Sequence, residues 1–211
     1  MRILTISPDQ YERNRSFLKL MHRLRAAVFG DRLEWDVTIT AGEERDEYDD
    51  FEPTYLLAIT ESGQVAGCVR LLPAVGPTML EQTFPQLLEQ RSLAVHSGVV
   101  ESSRFCVDTS LVSGRDGGQL HLATLTLFAS IIEWSMANGY SQIVTATDLR
   151  FERILKRAGW PMRRLGDAAA IGNTIAVAGC LPADRASFER VCPEGYQSIP
   201  HIDGAPVRSA A

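Results

Sequence analysis

The sequence predicts an α/β sandwich in which a mixed, mostly antiparallel central sheet is flanked by helices. Three observations predict it. The runs YLLAIT and QVAGCVRLLP are separated by Glu61-Ser62-Gly63, the pattern of an antiparallel hairpin. Residues 119–138 carry Leu122, Leu125, Ala129, Ile132 and Met136 at helical intervals and stop at Gly139, the signature of a long helix. Beyond it, SQIVTAT, LRFERILKRAG and NTIAVAG read as strand, helix and strand.

The other elements follow in order. From Arg13 to Phe29, the residues Phe17, Leu20, Met21, Leu24 and Val28 recur at helical spacing, so one face is apolar and Arg25 and Phe29 share a neighbouring face. Residues 30–53 are polar and acidic, contain Gly42 and Pro53, and read as a long loop with a short strand from Trp35 to Ile39. Loops of that length inside a domain are usually functional. The second strand of the hairpin carries Arg70 near its end. A turn at Gly76-Pro77, a short helix and loop over 78–92 and a strand at VVESSRFCV follow. No internal repeat or low-complexity run interrupts residues 1–182, which are expected to form one domain. Residues 181–211 hold four of the ten prolines, so 183–211 are expected to form a loosely packed C-terminal extension.

Composition narrows the function. The 211 residues are 45% hydrophobic, enough for one sizeable core. A net charge of −5 argues against nucleic acid as a partner, because non-specific binding to phosphates needs an excess of Lys and Arg. No apolar run has the length of a signal peptide or membrane span, so a cytoplasmic protein without membrane insertion is expected. Cys68, Cys106, Cys180 and Cys192 form no CxxC pair, and His22, His96, His121 and His201 are equally scattered. Neither a metal site nor a disulfide framework is signalled.

The chemistry-bearing residues lie in the settings RAAVFGDRLEWDV, RDEYDD, GCVRLLP and VESSRFCVD. Read alone, the acidic run is a solvated loop and Glu101 a solvated or ion-paired strand residue. Together, however, Arg25, Phe29, Trp35, Asp46, Asp49, Arg70, Glu101 and Arg104 resemble, in order and spacing, the acyl-homoserine lactone synthases of the LuxI type, with wording closest to the TraI-type synthases. The resemblance runs from about Met1 to Pro182, and the FERILKRAGW segment resembles the end of the GCN5-related N-acetyltransferase (GNAT) fold.

The resemblance implies a quorum-sensing acyltransferase whose partners are S-adenosylmethionine, a substrate rather than a cofactor, and an acylated acyl carrier protein. The amine of S-adenosylmethionine would attack the thioester, and its carboxylate would then close the lactone and expel methylthioadenosine. Acylation needs a neutral amine, so a base is expected, and Glu101 matches the family glutamate, acting through a water. Arg70 and Arg104 match catalytic arginines. Arg25, Phe29, Trp35, Asp46, Asp49, Arg104 and Phe105 are expected to form the S-adenosylmethionine pocket, the arginines pairing with the acidic loop or with the substrate carboxylate. A threonine at the position of Thr145 accompanies 3-oxo-acyl substrates in this family, since its hydroxyl can donate to the β-carbonyl, and the resemblance to TraI-type synthases implies a medium-chain product; otherwise it is an ordinary strand threonine. The carrier protein is acidic, and Arg150, Arg153, Lys156 and Arg157, followed by Arg163 and Arg164, form a basic cluster suited to dock it.

One conflict is built into this reading. A three-residue separation puts Glu101 and Arg104 on opposite faces of a regular strand. Either a bulge lies between them or they serve different walls.

Two other functions compete. A GNAT-type N-acyltransferase using acyl-CoA would need a pyrophosphate loop, which Arg115-Asp116-Gly117-Gly118-Gln119-Leu120 matches only in part: Leu120 fails the last position and Asp116 adds negative charge. A catalytically inactive acyl-chain binding protein is the other.

Overall fold

The computed structural model describes residues 1–111 and 121–199. β1 (Arg2–Ile6) precedes α1 (Arg15–Arg25), which continues into a π-helical turn at Ala26–Arg32. A small hairpin of β2 (Ile39–Thr40) and β3 (Glu43–Glu44) and a 3-10 turn at Glu47–Asp50 fill the acidic loop. β4 (Thr54–Ile59) and β5 (Val65–Pro73) form the expected hairpin, followed by α2 (Met79–Gln82) and β6 (Val99–Val107). Then come α3 (Leu122–Ala137), β7 (Gln142–Asp148), α4 (Leu149–Arg157), β8 (Arg163–Arg164), β9 (Ala169–Ile171), β10 (Thr174–Pro182) and α5 (Arg185–Val191).

The main sheet has the order β1-β4-β5-β6-β7-β10-β8, with β9 paired to β10. Every pairing is antiparallel except β6 with β7. That parallel pairing is short. It registers Val99 to Glu101 against Gln142 to Val144 and stops there, so the two strands part beyond Glu101.

Strand alternation sends side chains to two separate cores. On one face Leu56, Val69, Leu71 and Val100 pack with Leu127, Phe128 and Ile131 of α3. On the other Tyr55, Leu57, Cys68 and Cys106 pack with Met21, Val28 and Phe29 of α1 and its π-turn. Gly67 allows α3 to lie close, since a Cβ there would meet Leu127 Cδ1 and the Cys106 carbonyl at 2.9 Å. Gly139, with φ +78°, closes α3 as expected.

Two expectations change. The strand expected from Trp35 to Ile39 is displaced to Ile39–Thr40, because the π-turn runs on to Arg32 and its carbonyls take the amides of Leu33 and Trp35 (Leu33 N–H to Val28 O, 3.0 Å; Trp35 N–H to Phe29 O, 2.9 Å). Residues 183–199, expected to pack loosely, are instead tied to the body. Val191 and Ile199 enter the α3-side core, Asp184 caps α5 through the Ser187 N–H at 2.7 Å, and Glu133 of α3 accepts the Tyr196 hydroxyl at 2.9 Å and the Ile199 N–H at 2.8 Å. Prolines mark where regular structure stops, not where packing does.

Candidate active site

The acidic loop is solvated only in part: Glu44 and Asp49 are buried, whereas Glu47 and Asp50 are exposed. In the turn at Glu47–Asp50, Asp46 Oδ1 accepts the Tyr48 N–H and Asp49 Oδ2 accepts the Asp46 N–H, both at 3.0 Å. This reciprocal cap turns both carboxylates towards the sheet, where they meet arginines from three elements. Arg25, from the end of α1, donates both terminal nitrogens to Asp49 at 2.8 and 2.9 Å and its Nε to Glu44. Arg70, from β5, donates to Asp46 through both terminal nitrogens, to Asp49 at 3.0 Å and to Ser103 Oγ at 3.0 Å. Arg104, from β6, reaches Glu44 at 3.1 Å and Asp46 at 2.7 Å.

The ion network is buried, with Arg25, Arg70 and Glu44 all 0% exposed. Burial alone would lower the arginine pKa values. Hydrogen bonds and charge from Asp49 and Glu44 hold Arg25, and those from Asp46 and Asp49 hold Arg70, above the ordinary value. Burial likewise works to raise Asp49, but Arg25 and then Arg70 hold it far below the usual carboxylate range.

The conflict between Glu101 and Arg104 resolves as a bulge. Cys68 faces Cys106 and Arg70 faces Ser103, so β6 has one more residue than β5 between the two pairs. Arg104 takes φ +53° there, and Ser103 and Arg104 both turn to the α1 side. Phe105 then points to the α3 side. Arg104 lies over the Phe29 ring at 5.5 Å, and Phe29 stacks on Trp35 at 5.1 Å. Phe105 is not brought to that pair, as had been expected. It packs against Phe128 and Phe151 across the sheet.

Glu101 faces the α1 side, 1% exposed. Its carboxylate accepts the N–H groups of Met79 at 3.0 Å and Leu80 at 2.8 Å, at the start of α2. Burial raises its pKa, and those two N–H bonds offset only part of the rise.

On the α3 side, a cavity opens among Ser102, Phe105, Phe128, Thr145, Phe151 and Trp160. It is apolar apart from the two hydroxyls, and Thr145 Oγ1 has only a long 3.4 Å contact to the Ala146 carbonyl. Charged cluster and cavity thus lie on opposite faces of the sheet.

Arg150, Arg153, Lys156 and Arg157 are all exposed on α4, whose first turn is capped by Asp148 through the Phe151 N–H at 2.7 Å. Arg164 is instead held by Glu152 through two 2.7 Å bonds. The partial pyrophosphate loop, residues 115–120, lies outside the described residues. Among the described residues no group of three or more His, Cys, Asp or Glu side chains is arranged to hold a metal, and no helix is long and apolar enough to cross a membrane.

Sequence reasoning missed Glu44, which bridges Arg25 and Arg104, and Tyr55, whose hydroxyl donates to Asp49 at 2.7 Å. Glu44 was hidden by its acidic neighbours. Its alternation with Asp46, on a segment facing an arginine helix, was the available signal.

Residues 9–191 match the family model described as autoinducer synthase. The chain belongs to the autoinducer synthase family. An acyl-homoserine-lactone synthase of Agrobacterium fabrum (strain C58) is 82% identical over the whole of both chains. A solved CoA-dependent acyl-homoserine lactone synthase, BjaI, with SAM and isopentyl-CoA, is 26% identical with a TM-score of 0.81, covering 96% of this chain and 95% of that one. An acyl-CoA N-acyltransferase from Pseudomonas aeruginosa is 12% identical with a TM-score of 0.55, over 85% of this chain and 99% of that one, and shows the GNAT-like fold alone. This autoinducer synthase is accordingly an acyltransferase that makes acyl-homoserine lactones.

Proposed function

We propose that this synthase joins S-adenosylmethionine to an acyl group delivered by acyl carrier protein, making a medium-chain 3-oxo-acyl-homoserine lactone. The observation that carries the reading is the pair of unlike surroundings on opposite faces of one sheet, a buried charged network with Glu101 on the α1 side and an apolar cavity on the α3 side. The charged side, with Phe29 and Trp35, suits a zwitterionic substrate with a sulfonium. The apolar side suits a fatty acyl chain. Glu101, acting through a water, takes the proton as the amine attacks the thioester carbonyl and the thiol leaves. Folding the methionine carboxylate onto its own γ-carbon then closes the lactone and releases methylthioadenosine, a step driven by orientation because the sulfonium is already a good leaving group.

Exposed cations on α4 support an acidic carrier as the donor. A second reading, acyl-CoA as donor, is favoured by the similarity to CoA-dependent BjaI. Methylthioadenosine release measured with matched acyl-carrier-protein and acyl-CoA donors separates the two. We expect a clearly higher kcat/KM with the carrier protein, and equal or better turnover with acyl-CoA would overturn the assignment.

A further inference from the structure

Met79 joins the two halves of the charged pocket. Its backbone N–H holds Glu101 at 3.0 Å, while its thioether sulfur lies 3.0 Å from Arg70 Nη2 and 3.6 Å from Arg104 Nη1. Arg70 donates its other N–H groups to Ser103, Asp46 and Asp49. Two charged donors thus converge on one neutral sulfur, the weakest acceptor in a cluster otherwise built of carboxylates and a hydroxyl. A carboxylate offered at that point would be the stronger partner for both guanidinium groups.

We infer that Met79 is a positioning residue whose thioether competes with the methionyl carboxylate of S-adenosylmethionine for the guanidinium N–H groups of Arg70 and Arg104. The inference rests on the S-adenosylmethionine reading above. Methionine suits this task because its side chain has three rotatable bonds and a soft sulfur. Its sulfur can leave the arginines while its backbone N–H stays on Glu101, so substrate enters without loosening the base. Around it, Tyr48, Leu72 and Phe84 form a small apolar cluster, which keeps water off the arginine donors until the carboxylate arrives.

Two substitutions test this in opposite directions. Met79→Leu keeps an apolar side chain of similar volume and removes the acceptor, so the arginine donors wait unpaired. The KM for S-adenosylmethionine should fall about threefold or more. Met79→Gln offers a stronger, amide acceptor of similar length that competes with the substrate, so the same KM should rise about threefold or more. In both, kcat should move less than that KM, and the KM for the acyl donor should stay within about twofold. If the leucine variant fails to fold, a selective rise in the S-adenosylmethionine KM of the glutamine variant still supports the role. Shifts of equal sign, or no shift in either variant, would overturn it. Wild-type enzyme releasing no methylthioadenosine would instead overturn the substrate reading, and the role of Met79 with it.

Discussion

Asp49 collects donors from Arg25, Arg70 and Tyr55 while its second oxygen holds the Asp46 amide. Asp49→Asn removes one of the charge partners of each of two buried guanidiniums, leaving Glu44 to Arg25 and Asp46 to Arg70, and should cost up to about 3–5 kcal/mol, the range for breaking a buried pair. Chemical denaturation of the two proteins at neutral pH should show it. The sign of the pH dependence follows from the depressed pKa: the contribution of Asp49 is present above the ordinary carboxylate range and is lost as the pH falls through its folded value. Denaturation midpoints measured from neutral to acid should therefore drop more steeply in wild type than in Asp49→Asn. Glu101→Gln keeps the size of the side chain but cannot take the amine proton, and kcat should fall by about 10² to 10⁴ while S-adenosylmethionine still binds in calorimetry. Near-normal kcat would make Glu101 a structural clasp for α2. Thr145→Val keeps the shape of the cavity wall and removes its hydroxyl. Mass spectrometry of the products should then show the ratio of 3-oxo to unsubstituted lactone fall, and an unchanged ratio would remove Thr145 from acyl selection.

At the scale of elements, the bulge in β6 decides what the site contains. Without it, Arg104 would point among the phenylalanines and Phe105 towards Phe29, exchanging a cation and an aromatic between two pockets. The sequence showed the parity conflict but not its outcome, because a bulge is set by pairing with β5 and leaves no local residue signature when the extra position is an arginine rather than a glycine. Hairpin, long helix and terminal strand were legible because each has a strong period and a clear stop, as Gly139 provides for α3. The burial of Glu44 and Asp49 within the acidic loop was not legible. Charge composition reads GEERDEYDD as solvated, and only the three-dimensional meeting with Arg25, Arg70 and Arg104 reverses that. For α4, the exposed positions predict that Arg153→Glu with Lys156→Glu raises the KM for acyl carrier protein and leaves that for S-adenosylmethionine nearly unchanged. An unaltered carrier KM would remove α4 from donor docking.

Across the whole molecule, the sheet acts as a partition. Its α1 face carries fixed charge and its α3 face an apolar cavity. The far end of the chain supports the second of these, since Val191, Ile199 and the clasp on Glu133 all brace α3. Removing residues 183–211 should therefore uncover α3 and lower the thermal midpoint by several degrees or more, whereas a loose extension would leave the midpoint where it was.

The molecule also holds two populations of charge that mobile ions treat differently. Ions do not enter the sealed network of Arg25, Arg70, Glu44 and Asp49, but they crowd freely around the open cations of α4. The screening length shrinks from about 8 Å at physiological ionic strength to about 3 Å at 1 M. If the donor is acyl carrier protein, salt therefore acts on its encounter with α4 and spares the buried network. In a salt titration, signal output would be throttled at the point of acyl supply, with the enzyme still folded and still loaded with its amino-acid substrate.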